Sequence, residues 1–562
     1  MKLKTFVPIA ILLSLAACGR VREQIGSEST TPAARNPKGS VKLTFTYGSE
    51  KEEWIKDVTA AFNAGDHRLA DGRTIEVEAI PLGSGDCIDE LLTESRKADI
   101  TSPASAAFIQ LGNAESRTKT GKDLIGPTEN LVISPVVIAM WKPMAEALGY
   151  GQKPVGWGDI LTLASDSRGW GKYGHPEWGP FRFGHTSPES SNSGLISIFA
   201  EAYAATGKKA GLTVADIDKP STAQFVAGIE RSIVHYGSST GFFGRKMFAN
   251  GPEYLSAAVM YENMVTESYA AQYSLPFPVV AIYPKEGTFW SDHPVGVVQR
   301  PWVTPEKREA ARIYIDYLLA KPQQEKAIPY GFRPGAVDVP LASPIDTAHG
   351  VDPKEPLSTL EVPQVEVMHA ILALWHANKK HANITLAFDT SGSMKENRKM
   401  ENARAAALQL VDQLSDDDQF SLLPFSGTPE WAMQRVSIRE GRNQAKEKLG
   451  GLYPHDGTGL YDAISMAYAA QLASQNQDAE RISAIVVLTD GEDEGSKISL
   501  DELLSQIKFD NERHTIRVFT IAYGDDAKKD ILTQIADATQ AKFYAGNQQN
   551  IRQVLREIST FF

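Results

Sequence analysis

Cysteine is scarce in this chain of 562 residues: it occurs only at Cys18 and Cys87. A disulfide-stapled fold is therefore excluded, because Cys87 has no partner once Cys18 is set aside. Long apolar runs are missing after residue 20, so no later segment offers the roughly 20 apolar residues of a bilayer-crossing helix. Positive charge is in deficit as well. A net formal charge of −12 argues against a sequence-independent grip on nucleic acid, which needs a basic face. Neither an H-E-x-x-H helix nor a P-loop is present, and the expectation is a protein that binds rather than catalyses.

What is present begins at the N-terminus. Lys2 and Lys4 precede an apolar run over 6–15 that is too short to span a bilayer, and the run ends in Leu15-Ala16-Ala17-Cys18. That ending resembles a bacterial lipobox. The resemblance implies a signal peptide over 1–17, lipidation of Cys18, and contact with the membrane through the lipid anchor alone. Because Gly19 rather than Asp follows, the implied address is the periplasmic face of the outer membrane in a Gram-negative cell, and otherwise the outer face of the cell membrane. The rest of 18–40 is polar and rich in Ser, Thr, Pro and Gly, which makes it a flexible spacer.

Over 41–340, short apolar strand candidates alternate with helical spacing. Residues 41–47 alternate into a turn at Gly48-Ser49, and Trp54, Ile55, Val58 and Phe62 mark one helical face. Two longer apolar runs, 131–141 and 277–283, are the expected crossovers of a hinge. Residues 341–380 form a linker that ends in a helix through Val365, Met368, Ile371, Leu372 and Trp375. The region 381–562 alternates more cleanly. Its apolar runs 384–388, 420–425, 482–488 and 518–522 are nearly continuous, as in strands covered by helices on both faces. This is the pattern of a doubly wound α/β domain, whose ligands collect at the carboxyl ends of the strands.

The first of those runs ends in Asp389-Thr390-Ser391-Gly392-Ser393. A second loop reads Asp456-Gly457-Thr458-Gly459, and the run 482–488 ends in Thr489-Asp490-Gly491. Carboxylates and hydroxyls at strand ends are hard oxygen donors suited to Mg²⁺, with Mn²⁺ or Ca²⁺ as alternatives. Here the chain resembles the von Willebrand factor A family and its metal-ion-dependent adhesion site. The resemblance assigns the metal to Asp389, Ser391, Ser393, Thr458 and Asp490. It also implies an open coordination position for a partner's Asp or Glu carboxylate. Glu492-Asp493-Glu494 beside it is a solvated acidic loop.

The first region resembles bacterial extracellular solute-binding proteins of the two-lobed periplasmic type. The residues that carry this likeness include Ala98-Asp99-Ile100, Gly184-His185-Thr186-Ser187-Pro188 with Ser191-Asn192-Ser193-Gly194, and Tyr261-Glu262-Asn263. The resemblance implies an α/β fold, a two-lobed periplasmic-binding-protein-like region followed by a doubly wound, Rossmann-like von Willebrand A domain. Ligand contacts are expected from Ser49, Ser102, Ser105, Ser191, Asn192, Ser193 and Tyr261, whose hydroxyls and helix-start N–H groups suit a small polar or anionic solute. The tryptophans are expected in the core, Cys87 as a buried inert thiol, and His175 and His185 as unclustered residues rather than metal ligands. The functional expectation is an envelope-anchored binding lipoprotein that docks a protein partner through a metal-bridged carboxylate. The alternative is the solute-capture component of an ABC-type transport system.

Overall fold

The computed structural model describes residues 39–562, apart from 336–337, 456, 477, 479, 509–515 and 525–526. The signal peptide, Cys18 and nearly all of the spacer lie outside the described residues. Among those described, no helix is long and apolar enough to cross a membrane.

Eleven strands build the first region: β1 (Ser40–Gly48), β2 (Thr74–Leu82), β3 (Ile100–Ser102), β4 (Ile125–Asn130), β5 (Val132–Trp141), β6 (Phe183–Gly184), β7 (Ala257–Tyr261), β8 (Val279–Ile282), β9 (Trp290–Ser291), β10 (Pro294–Val298) and β11 (Arg333–Pro334). They form two sheets, one per lobe. Lobe 1 has the order β2-β1-β3-β10-β4; lobe 2 has β11-β5-β7-β6, with β8 and β9 also paired to β5. β1 runs parallel to β2 and β3, and β10 runs antiparallel to its neighbours. The apolar face read from Trp54 to Phe62 is buried as one side of the helix Glu52–Ala64.

The expected hinge needs correction. The run 277–283 is β8, which pairs with β5 wholly inside lobe 2. The chain instead crosses between lobes at Leu131, between β4 and β5, at Asp292-His293, between β9 and β10, and again between β10 and β11. Hydrophobicity marked both strands as buried, but a crossover is defined by which sheet each end joins, and apolar content does not record that.

The third sheet contains β12 (Ala382–Asp389), β13 (Gln419–Phe425), β14 (Met433–Ser437), β15 (Ile482–Thr489), β16 (Arg517–Tyr523) and β17 (Phe543–Gly546) in the order β14-β13-β12-β15-β16-β17. Every neighbouring pair is parallel except β13–β14. All eight residues of β12 and of β15 are buried, as helices on both faces require.

The segment between the two regions is not a free tether. Its helix Val365–Asn378 packs on lobe 2, with Trp375 edge-on to Tyr236 at 5.4 Å. The C-terminal domain touches both lobes. Arg556, on its last helix (Ile551–Ser559), pairs with Asp86 and Asp89 of lobe 1. Tyr236 N–H of lobe 2 donates to the carbonyl of Phe561. Consequently one buried apolar cluster runs from lobe 2 through Trp375 into the C-terminal domain.

Candidate functional site

In the third sheet, β12 pairs with β13 on one side and with β15 on the other. The winding therefore reverses at β12, and a crevice opens beyond the carboxyl ends of β12 and β15. Asp389 is the last residue of β12, and Asp490 directly follows β15. Both carboxylates thus reach the same crevice although 101 positions separate them in the sequence.

The five expected metal residues converge there. Ser391 and Ser393 place their hydroxyl oxygens 3.0 Å apart, and Ser393 donates to Asp490 Oδ1 at 2.7 Å. Asp389 accepts from Ser391 N–H at 2.7 Å and from Thr489 Oγ1 at 2.5 Å. A Cβ placed on Gly491 would lie 3.7 Å from Thr458 Oγ1 and 3.9 Å from Ser393 Oγ, which puts the threonine hydroxyl on the same rim. Asp456 of that motif lies outside the described residues. Burial pushes the Asp389 carboxyl up to about 6, and Asp490 adds to the rise.

Two residues escaped the sequence reading. Thr489 fixes one oxygen of Asp389. Lys399 donates from Nζ to Asp490 Oδ2 at 2.7 Å, with its side chain only 8% exposed. Lys399 opens the helix Lys399–Gln413 directly after Asn397 and Arg398, both in the left-handed region (φ 48° and 58°). Such residues cost of order 1 kcal/mol or more each, and here they turn the loop sharply enough to bring an ammonium under Asp490. Only the helical spacing behind Lys399 was legible; the turn was not.

The donor set fits a hard divalent cation. Asp389, Ser391, Ser393, Thr458 and Asp490 supply only oxygen, and hydroxyls outnumber carboxylates. With Lys399 on Oδ2, Asp490 has Oδ1 left to face the crevice. The acidic run behaves differently from a plain solvated loop, because Asp493 accepts from Tyr461 N–H and from Ser496.

Between the lobes, the contacts are direct. Ser105 of lobe 1 donates to Asn192 Oδ1 of lobe 2 at 2.6 Å. Gly241 N–H donates to Ser49 Oγ at 3.2 Å, and Asn263 Nδ2 to the carbonyl of Glu50 at 3.3 Å. Gly85 N–H donates to the carbonyl of Ser190 at 2.8 Å, and a Cβ on Gly85 would sit 1.9 Å from the carbonyl of Glu189. Only glycine lets the lobes approach this closely. Ser191 and Ser193 are instead tied into a hydroxyl chain with Thr240 and Thr186 at 2.8–3.1 Å. Ser191 takes the N-cap position of its helix without capping it through the side chain. Ser102 Oγ is buried without a partner, as a group awaiting a ligand would be, whereas Tyr261 OH lies among Thr240, Asn192 and Ser291.

The cleft also holds what the sequence reading missed. Lys51, 0% exposed, donates to Glu50 at 2.7 Å and lies 3.1 Å from His293 Nδ1. Burial first and the Lys51 ammonium second hold the His293 ring neutral, down to about 4, against the opposing pull of Glu50. Glu50 itself is held down to about 2, because Lys51 and His293 together outweigh its burial.

Trp141, Trp157 and Trp170 are buried as expected, whereas Trp178 and Trp290 are only half-buried. Cys87 is buried, and burial pushes its thiol far up. Two spellings with catalytic associations are inert in this fold. Gly237-Ser238-Ser239-Thr240-Gly241 spells a nucleophile elbow, but Ser239 is an ordinary extended N-cap (φ −152°, ψ 151°) rather than a strained turn. Gly169-Trp170-Gly171-Lys172-Tyr173-Gly174 spells a dinucleotide fingerprint, yet it forms a 3-10 turn with no strand before it.

The profile described as bacterial extracellular solute-binding protein matches residues 43–333, more than half of the chain. The chain belongs to that family. The profile of the von Willebrand factor type A domain matches residues 383–558, so this solute-binding protein carries a second binding module. The uncharacterized protein sll0103 of Synechocystis sp. is 28% identical over 35% of this chain and 45% of its own length. Inter-alpha-trypsin inhibitor heavy chain H4 of Homo sapiens is 35% identical over 20% of this chain and 12% of its own. The chain thus spans less than half the length of these curated relatives. Among solved structures, a periplasmic thiamin binding protein covers 60% of this chain and 96% of its own at 15% identity, TM-score 0.43. A von Willebrand factor type A protein from Catenulispora acidiphila covers 32% of this chain and 42% of its own at 21% identity, TM-score 0.29. The two families together make this an extracytoplasmic binding protein.

Proposed function

We propose that this protein is an envelope-anchored docking lipoprotein whose von Willebrand A domain grips an acidic side chain of a partner protein. The carrying observation is the convergence of Asp389, Ser391, Ser393, Thr458 and Asp490 on one crevice at the sheet's winding reversal. A bound Mg²⁺, or Mn²⁺ or Ca²⁺ in its place, would supply an open position for a carboxylate oxygen. The chain's own residues do the rest. Ser391 N–H and Thr489 orient Asp389, Lys399 takes half of Asp490's charge, and the neutral hydroxyls keep the centre electron-poor. Cys18 would tether the whole assembly to the membrane.

The test is a pull-down from envelope extract with the mature chain, in Mg²⁺ and in EDTA, beside a Ser391→Ala/Ser393→Ala variant. Docking predicts a protein retained only by the unmodified chain with Mg²⁺. Equal recovery in every lane would sink it.

A second reading, solute capture for an ABC-type transporter, is favoured by one observation. The inter-lobe cleft buries Ser102 Oγ without a partner, which suits a small polar or anionic solute. Retention of transport after removal of the C-terminal domain would make this the primary role.

A further inference from the structure

Lobe 2 encloses a cluster that sequence spacing concealed. His185, Glu201 and Glu230 are each 0% exposed, and one ligand-capable atom of each lies within 4.8 Å of the others. His185 directly follows β6, Glu201 lies inside the helix Asn192–Thr206, and Glu230 ends the helix Pro220–Glu230. Three separate elements therefore aim at one point.

The hydrogen bonds around the cluster fix what each group offers it. His185 Nδ1 lies 2.7 Å from the carbonyl of Thr186. A carbonyl only accepts, so Nδ1 carries a hydrogen. In the neutral ring Nε2 then holds a lone pair, aimed at Glu230 Oε1 at 2.9 Å. Two acceptors keep such a contact only with a cation between them. The other oxygen of Glu230 accepts from Tyr236 OH at 2.5 Å, and Glu201 Oε1 accepts from Ser197 Oγ at 3.0 Å. Glu201 Oε2, fully buried, has no partner. Each residue is thus held by its outer atom and presents an inner one, the arrangement by which outer hydrogen bonds orient metal ligands.

The donor set points the same way. Two acidic side chains and an imidazole crowd one buried point, where Lys380 bears on Glu230 from the connecting segment. An imidazole in the set favours a transition metal over Mg²⁺ or Ca²⁺, which take oxygen. Bonds of about 2.0–2.1 Å separate tetrahedral ligand atoms by about 3.3 Å, so the 2.9 Å contact needs only a slight opening.

We propose that His185 Nε2, Glu201 Oε2 and Glu230 Oε1 hold a structural divalent ion of the zinc class, distinct from the strand-end site. Its place gives it a task. Tyr236, which anchors Glu230, also packs on Trp375 and donates its N–H to Phe561. The ion would stiffen lobe 2 where the connecting helix and the C-terminal tail dock. This inference is independent of the docking reading.

The experiment uses the full chain with Asp389→Ala, which silences the strand-end site. It is loaded with Zn²⁺, desalted, and its metal counted by mass spectrometry. The expected result is one zinc per chain, retained at least about tenfold less well when Glu201→Gln is added. Zinc should also raise the melting temperature of the Asp389→Ala chain but not of the double variant. Should Glu201→Gln fail to fold, anomalous scattering at the zinc edge from Asp389→Ala crystals decides, with a peak expected between His185 and Glu230. No retained zinc, zinc indifferent to Glu201→Gln, or a peak elsewhere would overturn the proposal and leave a shared proton as the cation between these groups.

Discussion

The strand-end site and the inter-lobe cleft solve one problem, holding polar groups ready for a guest, in opposite ways. At the strand ends, three of the five donors come from five consecutive residues, and the parallel sheet delivers Asp490 beside them. In the cleft, Ser105, Asn192, Tyr261, Lys51 and His293 come from five separate stretches and meet only because two lobes close. The first site is a property of one strand and its neighbour. The second is a property of the whole first region, and several of its polar groups pair directly across the lobes. A site written in consecutive residues can be carried by a domain that moves, whereas a site written across lobes reports their closure.

Removing Asp389 is the hardest blow to the proposed metal site. Asp389→Ala should weaken Mg²⁺ or Mn²⁺ binding by more than about 100-fold, because even outer-shell partners typically contribute 10–100-fold. Titration calorimetry would check it. Loss of less than tenfold would mean that the motif does not act as a unit.

The cleft should break through its charges rather than its hydroxyls. Lys51→Met removes the ammonium 2.7 Å from buried Glu50 and leaves that carboxylate to His293 at 3.2 Å, and such a loss costs about 3–5 kcal/mol. Urea unfolding should show the drop, and adding Glu50→Gln should return most of it. If the double variant is no better than the single, Lys51 is not held by that pair.

Acid should act on the cleft through His293 and on the contact between lobe 2 and the C-terminal domain through His235. Burial, with Arg517 and Lys246 beside it, holds His235 neutral down to about 3 against an ordinary 6.5, and His293 behaves alike down to about 4. The folded-state values are depressed and the unfolded chain takes up those protons first. Stability is therefore complete above about 6.5 and falls as pH drops toward 4, by at most about 1.4 kcal/mol per pH unit for each group. Asp86 opposes this: burial raises it to about 7, so it contributes stability below about 4 that is lost as pH rises to 7. Melting curves of the chain and of His235→Gln between pH 5 and 8 would separate the two, the variant showing the flatter profile. A profile unchanged by His235→Gln would remove this histidine from the account.

The smallest effect belongs to the rim of the strand-end site. Lys528 and Glu492 pair at 3.3 Å with about half of each side chain exposed, and Lys528→Ala should change stability by less than about 1 kcal/mol. A larger loss would show that the acidic loop is held from outside rather than by Asp493.

How much of this the sequence carried follows from the same contrast. Continuous apolar runs gave β12, β13, β15 and β16 nearly to the residue, because a strand covered on both faces has no reason to alternate. The short, partly exposed β14 and β17 have no such run and were not read. Asp389, Ser391 and Ser393 were legible because they are consecutive, and Thr458 and Asp490 because each sits at a motif of its own. Lys399 was hidden by a left-handed turn, and Lys51 and His293 because their meeting depends on two lobes 242 positions apart in sequence.

By itself, then, the sequence determined the two families, the oxygen-donor set, and the parallel sheet that aims it, since hydrophobic runs and consecutive donors are local quantities. Only the tertiary structure decided where the chain crosses between lobes, that the C-terminal domain touches both of them, and that His185 meets Glu201 and Glu230. Those depend on which surfaces exclude water together, and that is settled by packing between distant segments rather than by any one of them.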